Sequence, residues 1–82
     1  MKLLHVPYPR VNVRSYAVKG EIYCDLLSSE GTWLNLDHIS YMTEFLDHDR
    51  VAHVQVDMGA AGPVTFQASA EQFMAYIRDV AG

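Results

Sequence analysis

Apolar and polar side chains alternate along most of this chain, and that alternation limits its fold more than any other feature. Residues 52–58 read AHVQVDM, with an apolar residue at every second position. A period of two is typical of a β-strand that buries one face and exposes the other. Similar patterns occupy residues 11–18 and 64–68, and stretches that contain glycine separate them. The chain is therefore predicted to consist mainly of short antiparallel strands.

Residues 11–26 are predicted to form a β-hairpin that turns at Lys19-Gly20, because glycine tolerates the positive φ of a tight turn. A two-residue turn places an aromatic pair and an opposite-charge pair directly across the two strands on the outer face. These pairs are Tyr16 with Tyr23 and Arg14 with Asp25. Each such pair stabilises a sheet by about 0.2–1 kcal/mol. The other parity, which includes Val11 and Cys24, is predicted to face the core.

A second hairpin is predicted to turn at residues 29–31, a three-residue loop with its glycine in the left-handed position. This loop sets Leu34 opposite Leu26 on the inner face. Trp33 and Asn35 then join the outer face beside the aromatic and charged pairs of the first hairpin.

The alternation changes phase within the stretch WLNLDHISYM, residues 33–42. The apolar residues before the change are Leu34 and Leu36, and those after it are Ile39, Tyr41 and Phe45. A shift of one residue turns every following side chain to the opposite face of a sheet. The chain must therefore bulge or bend at Asp37-His38. The stretch is predicted to be a strand with a break in it.

The last segment, SAEQFMAYIRDVAG, has a helical period and predicts a helix over residues 69–81. Ser69 stands three residues before Gln72, which is the spacing of a capping box. Glu71 in the first turn favours the helix dipole. The predicted apolar stripe consists of Ala70, Phe73, Met74, Ile77 and Ala81.

These elements predict an α+β fold: a five-stranded antiparallel β-meander followed by one C-terminal amphipathic helix. The chain is expected to be a single domain over 1–82, with an extended lead-in at 1–10, the meander at 11–68 and the helix at 69–81. A single helix about 10 Å wide cannot cover a sheet about 20–24 Å across. Either the N-terminal segment or a second subunit must cover the remainder, so we expect a homodimer or a larger homo-oligomer.

The run from Gly31 to Ile39, the hairpin after it and the closing helix resemble the small FlbD-like flagellar proteins. Those proteins carry a G-x-x-(I/V/L)-N-x-x-H-I element, and Asn35, His38 and Ile39 stand on its motif positions. The resemblance covers residues 26–77. The chain departs from the pattern in its additional N-terminal hairpin, in a longer loop at residues 46–50, and in the run MGAAGP, residues 58–63, where a tighter turn is usual. The resemblance implies a small non-enzymatic regulatory or accessory protein.

The net charge and the cysteine content indicate which kinds of partner and which cellular compartment to expect. Six Lys and Arg residues against ten Asp and Glu give a formal net charge of −4. Phosphate contacts dominate affinity for nucleic acids, so nucleic acid is not the expected partner. Cys24 is the single cysteine, which excludes an internal disulfide and suits a reducing compartment. No apolar run reaches membrane-spanning length and the N-terminus does not resemble a signal peptide, so we expect a cytoplasmic protein without membrane contact.

Four histidines raise the question of a metal site, with His38, His48 and His53 as the candidates. A zinc ion needs three or four ligands at about 2.0–2.2 Å, and the spacing of these histidines matches no compact ligand pair. His48 is expected in a solvated loop and His53 on the outward side of its strand. Cys24 is expected to pack as a small apolar residue, and no nucleophile motif surrounds the serines. We therefore expect no metal, no other cofactor and no enzymatic activity.

The predicted outer sheet face is the best candidate for a binding surface, because Trp, Tyr and Arg dominate interface hot spots. Its residues are Arg14, Tyr16, Tyr23, Trp33 and Asn35. The sequence thus predicts a protein-binding regulator, inhibitor or adaptor. One alternative is a nucleic-acid-binding regulator, since aromatic side chains also stack on bases. The other is a metal or small-molecule sensor that uses the three candidate histidines.

Overall fold

A computed structural model describes residues 3–16 and 20–81, apart from the side chains of Tyr16 and Ala81. Within these residues the chain forms seven strands, two single turns of 3-10 helix and one α-helix. The strands are β1 (Leu3–Val6), β2 (Arg10–Tyr16), β3 (Glu21–Ser28), β4 (Thr32–Asn35), β5 (Tyr41–Leu46), β6 (Ala52–Asp57) and β7 (Pro63–Phe66). The 3-10 turns are Leu36–His38 and Gly59–Ala61, and the helix is α1 (Ala70–Ala81). The helix is too short to span a membrane, and the described part of the chain has no other candidate span.

The strands form a curled five-stranded antiparallel sheet, in the order β3-β2-β7-β6-β5, and a separate two-stranded ribbon of β1 and β4. The predicted α+β class, the five antiparallel strands and the C-terminal helix are confirmed. The strand order differs from sequential pairing, because β7 lies beside β2 and β4 pairs with β1 rather than with β3. Pairing with β1 buries Leu4 and Val6 beside Leu34. The burial of these three apolar side chains favours the distant partner over the local hairpin.

The main core lies between one face of the sheet, helix α1 and the β1–β4 ribbon. Its buried members are Leu4, Val6, Leu34, Val54, Val56, Met58, Phe66 and Phe73. The N-terminal segment therefore supplies the cover that one helix cannot provide. This removes the geometric argument for a second subunit, and a homo-oligomer stays a prediction.

The opposite face of the sheet also has buried residues. Strand β2 joins the sheet through the pairs Arg10–Phe66 and Val11–Thr65. Paired residues share a face, so Val11 lies on the side of Thr65 and not on the core side of Phe66. The residues predicted to be inward in the first hairpin and in β6 thus lie on opposite faces of one sheet. Val11 and Thr65 are both buried there.

The β2–β3 hairpin keeps its predicted parity but shifts its register by two residues. Arg14 pairs with Tyr23 where Asp25 was predicted, and the turn prediction at Lys19 lies outside the described residues. Asp25 nevertheless bonds Arg14 through both carboxylate oxygens, at 2.5 Å from Nε and 2.9 Å from Nη2. Both side chains are half exposed. Exposed ion pairs of this kind contribute about 0–1 kcal/mol.

The predicted break at Asp37-His38 is present as the 3-10 turn Leu36–His38. The Asn35 side chain accepts a hydrogen bond from the backbone N–H of Asp37 at 3.1 Å and caps the turn. The turn lets the chain leave the ribbon and enter the five-stranded sheet at Tyr41. Tyr41 itself is predicted to be inward and is 62% exposed, because its pairing with Asp57 places it on the sheet face opposite the buried Val54 and Val56.

Helix α1 begins with the predicted capping box. The Ser69 hydroxyl accepts from the Gln72 N–H at 3.0 Å, and the Gln72 side chain accepts from the Ser69 N–H at 2.9 Å. The Glu44 carboxylate accepts from the Ala70 N–H at 2.6 Å, which fixes the helix start to β5. Of the predicted apolar stripe, Phe73 is fully buried. Met74 is largely exposed, because a single helix presents only part of its surface to the sheet.

We expect Ser69→Ala to lower the free energy of unfolding by about 1 kcal/mol, because an alanine cannot accept the N-cap hydrogen bond. Urea denaturation of the variant and the wild type measures the difference. Ser29→Ala is the matched control, since Ser29 is exposed and lies outside the helix. Equal destabilisation by the two changes would show that the capping box does not stabilise the helix.

Candidate functional site

The structure separates the residues of the predicted binding face. Arg14 and Tyr23 lie on the β2–β3 hairpin, whereas Trp33 and Asn35 lie on the β1–β4 ribbon. Tyr16 ends β2, and its side chain is outside the described part of the chain. The single aromatic platform therefore does not form, because β4 does not pair with β3.

Trp33 lies on the outer face of the ribbon, where it is 65% exposed. The register places Leu3, His5 and Asn35 on the same face. The His5 ring packs against the indole with centroids 5.1 Å apart and planes tilted by 57°. We call these four side chains the Trp33 face. The opposite side of the ribbon carries its buried apolar residues, which pack against the core and hold the ribbon in place.

The absence of a side chain at Gly31 leaves the space into which the His5 ring packs. A Cβ atom at position 31 would lie 2.0 Å from His5 Nε2 and 2.2 Å from Cε1. The backbone of Gly31 does not have positive φ, so the predicted left-handed loop position is wrong. The glycine is present because the imidazole ring occupies the space of a side chain.

A second group of functional side chains lies where the curled sheet closes on itself. The backbone N–H of His48, in the loop after β5, donates to the Ile22 carbonyl of β3 at 2.8 Å. The His48 ring also stacks on Tyr23, with centroids 4.0 Å apart and planes 28° apart. These contacts join β3, at one end of the strand order, to the loop that connects the two strands at the other end.

Asp47 organises this closing loop with both oxygens of its carboxylate. Oδ1 accepts from the N–H of Asp49 at 2.8 Å and of Val51 at 3.0 Å. Oδ2 accepts from His53 Nε2 at 2.8 Å. The side chain is only 10% exposed. The loop also holds Arg50 at a φ of 63°, a conformation that non-glycine residues adopt rarely.

His53 is 2% exposed, so its predicted outward and solvated position is wrong. The curl of the sheet covers the face of β6 on which it lies. Its ring stacks on Phe45 with centroids 5.5 Å apart. Its Nδ1 atom is buried and has no hydrogen-bond partner. A buried nitrogen without a partner is destabilising by about 1–3 kcal/mol, which marks His53 as a candidate functional residue.

Cys24 completes the group. A Cys24 sulfur, an Asp47 oxygen and a His53 ring nitrogen all lie within 4.8 Å of one another. Burial raises the pKa of the Cys24 thiol, and the negative charges of Asp47 and Asp25 raise it further. The thiol is therefore protonated near neutral pH and is not an activated nucleophile. The three residues form what we call the seam cluster.

The other candidate histidines lie elsewhere. His48 is grouped with Asp47 and Asp49, and its Nε2 is 3.1 Å from an Asp49 oxygen. The Asp49 side chain is 71% exposed, whereas the His48 side chain is 33% exposed. His38 is exposed on the 3-10 turn and joins neither of the metal-binding groups found among the described residues.

Asp47 makes the stability of the closing loop dependent on pH. Burial raises the pKa of its carboxyl group, but the hydrogen bonds from His53 and from the N–H groups of Val51 and Asp49 outweigh it and lower the pKa overall. A lowered folded pKa gives stability that is complete above the unfolded pKa, about 3.9. That stability is lost as the pH falls through the folded pKa.

We expect Asp47→Asn to lower the free energy of unfolding at neutral pH by about 2 kcal/mol, because hydrogen bonds to a charged acceptor are lost. The difference from the wild type should shrink below about pH 4, where the wild-type carboxylate becomes protonated. Urea denaturation between about pH 7 and pH 2.5 in the presence of a chelator measures it. Asp49→Asn, in the same loop but exposed, should have a smaller effect. A difference for Asp47→Asn that does not change with pH would contradict this account.

Comparisons with known proteins leave the function to be argued from this geometry. No protein-family model, no curated protein and no solved structure matches the chain. The resemblance of residues 26–77 to FlbD-like proteins therefore stays a prediction. The Trp33 face and the seam cluster are the two features that a functional proposal must use.

Proposed function

We propose that this protein is a non-enzymatic binding module, a regulator, inhibitor or adaptor that recognises another protein through its Trp33 face. The proposal keeps Trp33 and Asn35 from the predicted binding surface. It replaces Arg14, Tyr16 and Tyr23 with Leu3 and His5. The cytoplasm is the proposed compartment, which the single Cys24 supports.

The observation that carries the proposal is the exposure of the only tryptophan on a supported surface. Trp33 is 65% exposed and Leu3 on the same face is 55% exposed. An exposed apolar group of this kind marks an interaction site more often than scattered single residues do. Tryptophan is also the residue most enriched in interface hot spots. The ribbon beneath it is held by buried apolar residues, so the indole is presented with little loss of entropy on binding.

The proposed partner is a protein segment with an apolar anchor and basic flanking residues. Strand β4 lies between Glu30 and Asp37 in the sequence, and both acids are exposed. The whole chain has a formal net charge of −4. Complementary charge at the rim of an interface raises the association rate and selects the partner. A nucleic acid is negatively charged, unlike such a partner, and would be repelled by the negative charge of this protein.

The helix contributes to the positioning of the face. The Tyr76 hydroxyl donates to the His5 carbonyl at 2.5 Å, and Tyr8 donates to the Gln72 carbonyl at 3.2 Å. These bonds fix β1 and the residues after it to α1. The ribbon therefore cannot move away from the core without breaking contacts made by residues far apart in the sequence.

Trp33→Ala is expected to weaken partner binding by about 30-fold or more, which corresponds to a hot spot of about 2 kcal/mol. The partner is sought with a displayed peptide library that is selected on the wild type alone, and the selected peptides are then measured on Trp33→Ala. Enriched peptides should carry an aromatic or aliphatic anchor next to Lys or Arg. Because Trp33 is the only tryptophan, its fluorescence should shift to shorter wavelength when a selected peptide binds.

Tyr41→Ala is the matched control, because Tyr41 is an equally exposed aromatic residue on β5. It should bind selected peptides as the wild type does. Equal binding by Trp33→Ala would contradict the proposal. A steep loss of affinity for an oligonucleotide with rising salt would favour the nucleic-acid alternative. Light scattering separates the remaining case: a dimer that Trp33→Ala converts to a monomer would assign this face to self-association.

Gly31→Ala tests whether His5 shapes the face. The added methyl group occupies the space of the imidazole ring, and the flexible end of the His5 side chain should move away from Trp33. We expect a change in tryptophan fluorescence and weaker peptide binding, with a thermal midpoint close to that of the wild type. Ser29→Ala, two positions earlier in the chain, should leave both readouts unchanged. Unchanged fluorescence in Gly31→Ala would show that His5 does not position the indole.

A further inference from the structure

We propose that the seam cluster, Cys24, Asp47 and His53, is a binding site for Zn²⁺. The three ligand atoms lie within 4.8 Å of one another although they come from β3, from the loop after β5 and from β6. His53 is almost completely buried, and Asp47 is nine-tenths buried. The fold thus brings one sulfur, one oxygen and one nitrogen donor together inside the curl of the sheet.

The donor set selects the class of metal. Thiolate, imidazole and carboxylate are the three protein ligands that zinc uses, whereas magnesium and calcium prefer oxygen donors alone. Three protein ligands leave one tetrahedral position, and no other Cys, His, Asp or Glu among the described residues joins this group. A water molecule is the expected fourth ligand.

His53 offers its Nε2 atom to the metal, because this nitrogen lies 2.8 Å from the Asp47 oxygen that is the second ligand. The other ring nitrogen, Nδ1, is buried and has no hydrogen-bond partner. Nδ1 can therefore take up the ring proton when Nε2 binds the metal, and the imidazole stays neutral, as a metal ligand must be.

The geometry must open slightly when the metal binds through Asp47 and His53 Nε2. Two ligands at about 2.05 Å in a tetrahedral site are about 3.3 Å apart, compared with the observed 2.8 Å. A change of this size is within reach of a loop residue. Binding also moves the ring proton of His53 from Nε2 to Nδ1 and releases one proton from the Cys24 thiol to solvent.

The position of the cluster indicates what the metal would do. Cys24 lies on the edge strand β3, and His53 lies on β6 near the other edge of the same sheet. A zinc ion would link these strands and hold the curl closed. This role is separate from the Trp33 face, which lies on the ribbon. The metal would therefore add stability to the closed curl, and its removal would leave the proposed binding surface in place.

Titration of the chelator-treated, reduced protein with Zn²⁺ and with Co²⁺ tests the proposal. We expect one metal per chain, a higher thermal midpoint with zinc, and thiolate-to-cobalt charge-transfer absorption with cobalt. Cys24→Ala should abolish the charge-transfer band and weaken zinc binding by at least about 100-fold, beyond the 10–100-fold effect of changes outside the ligand shell. Because Cys24 is a small and partly buried residue, this variant is expected to fold, which far-ultraviolet circular dichroism checks.

His48→Gln is the matched control, because His48 belongs to the neighbouring exposed group with Asp47 and Asp49. It should leave the cobalt spectrum and the zinc affinity as in the wild type. Loss of binding in His48→Gln with full binding in Cys24→Ala would overturn the proposal in favour of the exposed group. The absence of one-to-one binding by the wild type would also overturn it. Peptide binding at the Trp33 face is measured separately, so the failure of either proposal is distinguishable from that of the other.

Discussion

The closed form of the sheet depends on one carboxylate. Asp47 uses Oδ1 to hold the N–H groups of its own loop and Oδ2 to hold the buried His53. The loop in turn presents the His48 N–H to the Ile22 carbonyl of β3. A buried carboxylate is tolerated only when hydrogen bonds replace its hydration, and here the same bonds that satisfy Asp47 also close the curl. The hydrogen bonds of Asp47 thus both satisfy the buried carboxylate and hold the sheet in its curled form. The loss of this carboxylate would expose β3 as a free sheet edge.

The local structure was predictable because it is encoded by neighbouring residues. The capping box of Ser69 and Gln72, the turn at Asp37-His38 and the parity of each strand all follow from patterns within a few positions. The long-range pairing was not predictable in the same way. Residues 3–6 show only a short alternation, yet they pair with β4 and bury Leu4 and Val6 beside Leu34. The alternation along a strand shows which of its residues share a face, but not which face of the sheet is covered. For this reason Val11 and Phe66 are both predicted to face the core, although they lie on opposite faces of the sheet.

The candidate sites were likewise predictable from the sequence only in part, because they depend on long-range pairing. Trp33 was expected to be exposed on a β-strand, and it is, but its neighbours are set by the unexpected partner strand. His5 and Leu3 therefore replace Tyr23 and Arg14 beside it. The seam cluster has no signature in the sequence, because its members at positions 24, 47 and 53 follow no ligand spacing. Cys24 is predicted to face the core but lies half-buried on the opposite face of the sheet, and the predicted outward position of His53 is wrong. Only the curl of the sheet, a property of the whole chain, places the two on one covered surface.

The two sites are held by different forces, and this difference shapes what the protein can do. The ribbon under Trp33 is supported by apolar burial and by the bond from the Tyr76 hydroxyl to the His5 carbonyl, neither of which involves a carboxylate or an imidazole ring. The seam is held by the hydrogen bonds of the Asp47 carboxylate, which weaken when that carboxylate is protonated, and by the backbone N–H of His48. Coupling between two sites requires a shared element with two arrangements that both ligands bias. The contacts that support the ribbon and those that close the seam have no residue in common. A partner on the Trp33 face and a metal in the seam are therefore expected to bind with nearly independent free energies.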